Sequence, residues 1–192
     1  MEFDALIKKR HSCRAFSKKP ASFKDVMNAI DTTTKNPFAG NQNNVKFIIV
    51  EYPETIKKLA ELSQQSWISK VSIVAVVCSK DDSIEKQYGA RGLVYSRQQA
   101  GAAIMTLLLK LTDLRLDSCW IGAYDDESVK NLLGIPSNVN VEAIIPIGYS
   151  SMKLHKARHK ISLERAIYWE KWDKGRRPAA FEDPNINRRN AY

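Results

Sequence analysis

Residues 71–79 read Val-Ser-Ile-Val-Ala-Val-Val-Cys-Ser. The run is almost wholly apolar and rich in β-branched side chains, and it is too short for a helix of ordinary length. It is the clearest central strand in the chain. A central strand needs apolar cover, and the rest of the sequence must supply it.

The flanking segments alternate in kind. Phe3, Leu6 and Ile7 have helical spacing, so a short helix ends near a basic cluster. Ser22 is positioned to cap a second helix whose apolar face is Phe23, Val26, Met27 and Ile30. Residues 45–52 form a β-rich run, 53–67 a helix, and 97–116 a long helix with an apolar stripe from Ala100 through Leu114. The segment Ser118-Cys119-Trp120-Ile121-Gly122-Ala123-Tyr124 reads as a strand or strand end. A capped helix follows, stopped by Gly134 and Pro136, and 141–150 form a last strong strand. This order predicts an α+β, mixed α/β layered domain. Beyond the last strand the chain is basic and aromatic. One short helix is expected around 162–172, in an arm whose Tyr168, Trp169 and Trp172 need a surface to bury against, most simply a second copy of the chain.

The 192 residues suit one domain with an appendage. Mean hydropathy of -0.37 and 27% charged residues describe a water-soluble chain with no bilayer-length apolar run. Three cysteines without a CxxC pair, and an N-terminus unlike a signal peptide, place it in the cytoplasm with reduced thiols. The net charge of +9 collects at 8–19, 153–160 and 174–189. Such charge fits nucleic acid or a small anion alike.

The first cluster, Lys8-Lys9-Arg10-His11-Ser12-Cys13-Arg14-Ala15-Phe16, is the most informative. In an extended segment Arg10, Ser12 and Arg14 fall on one side, and guanidinium forks with a hydroxyl suit phosphate oxygens. A solvated helix end is the plainer alternative. Cys13 sits in a cationic setting that favours thiolate, with no catalytic partner evident. His155 and His159 lack a nearby third metal ligand, so a second anion strip with Arg158 and Lys160 is the better reading. Asn41, Gln42, Asn43 and Asn44 offer amides to a heteroaromatic edge. There is no GxGxxG, GxxxxGK[ST], GxSxG or HExxH, which disfavours a Rossmann site, a P-loop, a hydrolase elbow and a zincin site.

Taken in order, these segments resemble the FMN-dependent nitroreductase family. Arg10-His11-Ser12-Cys13-Arg14-Ala15-Phe16 matches its opening motif, and Pro37, Ala39 and Asn41 match its polar turn. Ser118-Cys119-Trp120-Ile121-Gly122, the Leu-Leu-Gly-Ile-Pro at 132–136, the Ile-Ile-Pro-Ile-Gly-Tyr-Ser at 144–150 and the pair Arg158 and Lys160 match the rest. The likeness covers about residues 1–167, with 168–192 left as a C-terminal arm that wraps the partner or forms part of a lid. It implies a central, mostly antiparallel sheet flanked by helices, in an intertwined homodimer holding FMN at the subunit interface. Arg10, His11 and Ser12 would hold the phosphate with Arg158 and Lys160, and Arg14 would approach the pyrimidine edge. Pro37, Phe38, Ala39 and Asn41 would come from the partner subunit. Ile121 and the Gly122 amide would face flavin N5, and Gln64 would touch the ring.

The implied activity is hydride transfer from NAD(P)H through the flavin to a nitroaromatic, quinone or similar electron-poor acceptor, in ping-pong order. No protein acid or base is required. The chain departs from the family pattern at Phe38, a small residue elsewhere, at Asn43 and Asn44, which stand for Gln and Pro, and at Gln99, which stands where many members have an acid. Another FMN enzyme of the same fold (dehalogenating, dehydrogenating or flavin-fragmenting) is the first rival reading. A nucleic-acid binder using Arg176, Arg177, Arg188 and Arg189 is the second, weakened by the interposed Glu182 and Asp183.

Overall fold

The computed structural model describes residues 2–152 and 163–175. Within 2–152 the strands β1 (Val45–Val50), β2 (Ile73–Lys80), β3 (Asp117–Ser118) and β4 (Val139–Gly148) form one sheet in the order β1-β2-β4-β3. All three ladders are antiparallel. The mixed α+β architecture with a mostly antiparallel sheet is thus as the sequence implies.

Strand β2 is central because both of its faces are apolar. Val74, Val76 and Cys78 point into one core with Ile56 and Leu59 of α3 (Pro53–Leu62) and Val129 of α6 (Asp126–Leu133). Ile73, Ala75 and Val77 point into the other, against Ala100, Ile104, Leu107 and Leu111 of α5 (Ala90–Asp113) and Val26 of α2 (Phe23–Thr33). The two-residue period of the pleat divides one continuous apolar run between two helical layers. Seven consecutive β2 residues are buried, so a polar substitution there would strand an unpaired group in a core.

The helix ends follow their local chemistry. The Ser22 hydroxyl accepts from Asp25 N at the start of α2, and the Asp125 carboxylate from Ser128 N at the start of α6. Gly134 ends α6 in the left-handed region at φ 66. Lys8 and Lys9 occupy the last turn of α1 (Phe3–Lys9), where unpaired carbonyls favour cations.

Two differences from the sequence expectation stand out. A separate helix α4 (Asp82–Tyr88) precedes α5, and α5 begins at Ala90 rather than near Arg97. Gly89, at φ 57 and ψ -145, breaks what would otherwise be one helix into two. Gly92 then lets α4 lie against α5, because a Cβ there would sit 2.4 Å from the Ile84 carbonyl oxygen. Charged residues throughout 81–91 hide the helical period of α4.

Residues 163–175 belong to a second unit, 155–192. The helix expected around 162–172 is instead a single turn, Leu163–Arg165. Left-handed backbone at Glu170 and Asp173, both at φ 63, stops any continuation, and Trp169 N donates to Lys174 O. So short an aromatic segment has no helical face to pack, and isolated short helices are marginal. The Tyr168 and Trp172 rings lie 4.9 Å apart within this segment.

Candidate active site

After α1 the chain runs extended beside β3. Cys13 N donates to Ser118 O at 3.0 Å, and Ser12 pairs with Ser118 in a parallel bridge. Ser17 N donates to Tyr149 O and Ser151 N to Ala15 O, which ties 15–17 to the end of β4. Alternation then sorts the side chains at 12–14: Cys13 turns into the core, while Ser12 and Arg14 are exposed. Phe16 is buried as well and departs from that alternation.

The Cys119 thiol registers the outward residues. Burial pushes the Cys119 thiol up, while Arg14 and Ser12 hydrogen bonds and the Arg10 charge pull it back down. Ser12 and Arg14 thus border Cys119, and the Arg10 charge is felt there. Two guanidinium groups on one short strip repel, and an anion between them would reverse the sign. His11 lies against Asp117, ring Nε2 to Oδ1 3.7 Å, and Asp117 also accepts from Ser150 N. Asp117 was not apparent from the sequence as an orienting group.

The neighbourhood corrects one expectation. Cys13 is not set up as a thiolate: it is 3% exposed, and burial pushes its thiol up despite opposing hydrogen bonds from the Ala15 backbone and the Ser150 side chain. The nearby arginines face the other way along the strand.

Past Cys119 the chain reaches Ile121, whose N–H and carbonyl both pair with Ile144. Gly122, exposed, comes next, and a Cβ there would meet no protein atom within 4 Å. Neither a positive φ nor a packed neighbour demands glycine at this position. Trp120 is exposed on the same segment, with its ring edge beside Gly101 of α5. Gln64, left-handed at φ 53, lines a groove of about 440 Å³ with Gln65, Ala123, Tyr124 and Asp125. The structure therefore brings Gln64 to the residues that follow Gly122.

Pro37, Phe38, Ala39 and Asn41 lie elsewhere on the same unit. Pro37 and Asn41 are exposed, and Phe38 is half-buried against the α5 side of the core. Gly40 and Asn41 are both left-handed, at φ 56 and 57. The turn contacts α4 and α5: the Gln42 amide donates to Gln87 Oε1, and Ala39 N donates to Gln99 Oε1 at 2.6 Å. Sequence reasoning missed Gln99 as a contact of this turn, because the residues are 60 apart in the chain. Arg158 and Lys160, with His155 and His159, lie outside the described residues, as does the arginine-rich end of the arm.

The layered α+β unit thus carries a basic, serine-bearing strip along the β3 edge of its sheet, with an exposed glycine a few residues past β3. The family is unambiguous: the chain belongs to the Nitroreductase family, whose model matches residues 7–82 and 71–149. It is an oxidoreductase of that family. A provisionally named NADH dehydrogenase/NAD(P)H nitroreductase of Archaeoglobus fulgidus is 29% identical over 173 residues, 87% of this chain and 97% of that one. A solved nitroreductase family protein of Streptococcus pneumoniae is 26% identical, with a TM-score of 0.76 over 86% of this chain and 98% of its own. An FMN-dependent nitroreductase of Clostridium difficile shares the fold, at TM-score 0.75 and 19% identity, over 88% of this chain and 100% of its own. Among the described residues no helix is long and apolar enough to cross a membrane.

Proposed function

We propose that the protein is an FMN-dependent NAD(P)H oxidoreductase acting as a homodimer. The observation that carries this reading is the basic strip that runs along β3, with Ser12 and Arg14 exposed on it and Arg10 just before it, followed past β3 by the exposed Gly122 with open space where a side chain would stand. A phosphate fits the first feature and a flat ring the second, so the residues present suit FMN.

Arg10, His11 and Ser12 would hold the phosphate; Arg158 and Lys160, which the family resemblance assigns to the same role, lie outside the described residues. Asp117 fixes the His11 ring and accepts from Ser150 N, which ties the strip to the end of β4. Arg14 supplies a cation at the pyrimidine edge, where negative charge grows on reduction, and so favours the reduced form. The Gly122 amide donates toward N5, and Ile121 is clamped by Ile144 to keep that amide in place. Pro37, Phe38, Ala39 and Asn41 reach the site from the second copy, with Phe38 narrowing the space for an acceptor. Gln64, which lines a groove with Ala123, would touch the ring. When bound, FMN supplies a two-electron carrier between NAD(P)H and an electron-poor acceptor such as a nitroaromatic or quinone, served in ping-pong order. The protein's contribution is orientation and charge placement, with protons drawn from water.

The test is an absorbance spectrum of the purified protein, before and after FMN titration and then with NADH or NADPH. A yellow protein whose visible band bleaches with the nicotinamide and returns with a quinone is expected. A protein that takes up no FMN would sink the reading.

A further inference from the structure

The turn 37–44 is fixed by a chain of hydrogen bonds that all run the same way. Asp81, the residue capping α4, is bound by Arg97, which also reaches Glu142 of β4. Held by that cation, the Asp81 carboxylate can only accept, so the Ser96 hydroxyl gives its proton to Asp81. Ser96 Oγ must then accept from its next neighbour, the Asn44 Nδ2 group at 2.5 Å. With its donor end committed, Asn44 offers Oδ1 to Gln99 Nε2 at 2.7 Å, and the same nitrogen reaches Gln42 O at 3.3 Å. That leaves Gln99 Oε1 facing the turn, where it accepts from Ala39 N at 2.6 Å. Asn44, Ser96 and Gln99 are all buried, so every reversed or missing link leaves an unpaired group away from water. Asn44 and Gln99 are also two of the positions at which the sequence departs from the family pattern, and the fold makes them partners.

We propose that this one-way relay, Ala39 to Gln99 to Asn44 to Ser96 to Asp81, sets the shape of the turn 37–44 and through it the hold on the flavin, with Gln99 as the positioning residue. The second half rests on the reading that this turn meets FMN. The chemistry requires a group at 99 that accepts at one end and donates at the other. A carboxylate of the same shape would aim an acceptor at two acceptors, Asn44 Oδ1 and Gln42 O. A protonated carboxyl, with one O–H and one carbonyl oxygen, would serve as the amide does.

The Gln99→Glu variant therefore tests the relay through pH. Two readouts are taken at pH 8 and pH 5: hydrogen exchange of the 37–44 peptide, corrected for intrinsic rates and needing no flavin, and FMN affinity from flavin fluorescence. At pH 8, turn exchange about tenfold faster and FMN binding about tenfold weaker are expected, the worth of one buried neutral hydrogen bond. At pH 5 both return to near the wild-type values. Gln99→Leu is impaired at both pH values, and Gln98→Glu, which adds the same charge on the exposed neighbour, changes neither readout. Charged or titratable side chains brought to the relay by the packed elements are Asp81, Arg97, Glu142 of β4 and, beside Gly40, Tyr88 of α4. They are common to all variants, so a pH response confined to Gln99→Glu belongs to residue 99. If the Gln99 variants fold poorly, Ser96→Ala shortens the relay without adding charge and should speed turn exchange several-fold at both pH values.

Wild-type exchange and affinity in Gln99→Glu at pH 8 overturn the proposal. So does a loss that persists at pH 5, which reduces Gln99 to packing. Faster exchange with unchanged FMN affinity overturns the link between turn and flavin and leaves FMN binding standing. A wild-type protein that takes up no FMN overturns the proposed function instead, and the exchange readout then judges the relay alone.

Discussion

The two segments assigned to the site are held by different means. Residues 12–17 are tied to β3 and β4 through main-chain bonds: Cys13 N to Ser118 O, Ser17 N to Tyr149 O, Ser151 N to Ala15 O. Residues 39–44 are held chiefly by side chains: Gln99 on Ala39, Gln87 on Gln42, Ser96 on Asn44. A backbone ladder is indifferent to which residues ride on it, so Arg10, Ser12 and Arg14 can be given over to a ligand. A side-chain clamp depends on the identity of each member. Substitutions in the strip should therefore change binding without changing stability, and substitutions around the turn should change both.

The largest effect is expected at the junction that carries the turn's partners. In Gly92→Ala the new Cβ meets main-chain atoms of α4, which cannot swing aside as a side chain can. Separation of α4 from α5 should cost about 3 kcal/mol in urea unfolding, the upper range for overpacking. An unchanged midpoint would show that α4 yields freely and is no platform for Gln87 and Tyr88.

Next come Arg10→Ala and Arg14→Ala. Each is expected to weaken FMN binding by about ten- to a hundredfold, the worth of a charge-assisted hydrogen bond of roughly 1.5–3 kcal/mol. Stability should stay within about 0.5 kcal/mol, as for ordinary surface changes. Fluorescence titration and thermal melting separate the two effects, and equal losses in both would erase the contrast between strip and turn.

Gly40→Ala should cost about 1–2 kcal/mol from its left-handed backbone, plus the strain of a Cβ 2.8 Å from Gln87 Oε1 and the Tyr88 hydroxyl. Both neighbours are side-chain ends, so Gln87→Ala in the same protein should return the steric part and leave the backbone part. Denaturant unfolding of the single and double variants measures the division.

The smallest effect is alkaline. Burial, and secondarily the Glu142 charge, raises the Cys78 thiol from an ordinary 9.0 to about 11. Its folded-state value lies above the unfolded one, so its contribution is whole below pH 9 and is lost as the pH climbs towards 11. Melting temperature should decline over that window, and less steeply in Cys78→Ala. Cys13 and Cys119 shift in the same direction, so some slope should remain.

The layered fold was legible because it is written in short-range terms. The apolar run of β2, the stripe of α5, the Ser22 cap and the Gly134 stop each act within a few residues, where side-chain period and backbone preference are decisive. The outward setting of Ser12 and Arg14 was legible for the same reason, since alternation alone puts them on one side of Cys13. Helix α4 was not, because its face is set by a close approach at Gly92 rather than by an apolar period. Nor was the thiolate expectation for Cys13 sound, since burial outweighs the nearby charges.

What the sequence determined by itself is most of the elements of the layered unit, α4 excepted, and the outward side of Ser12 and Arg14, both consequences of local spacing. Only the tertiary structure joined Asp81, Ser96, Asn44, Gln99 and Ala39 into one directed chain, and placed Gln64 beside Ala123. Hydrogen-bond direction depends on who stands next to whom in space, and in this chain those neighbours lie up to 60 residues apart.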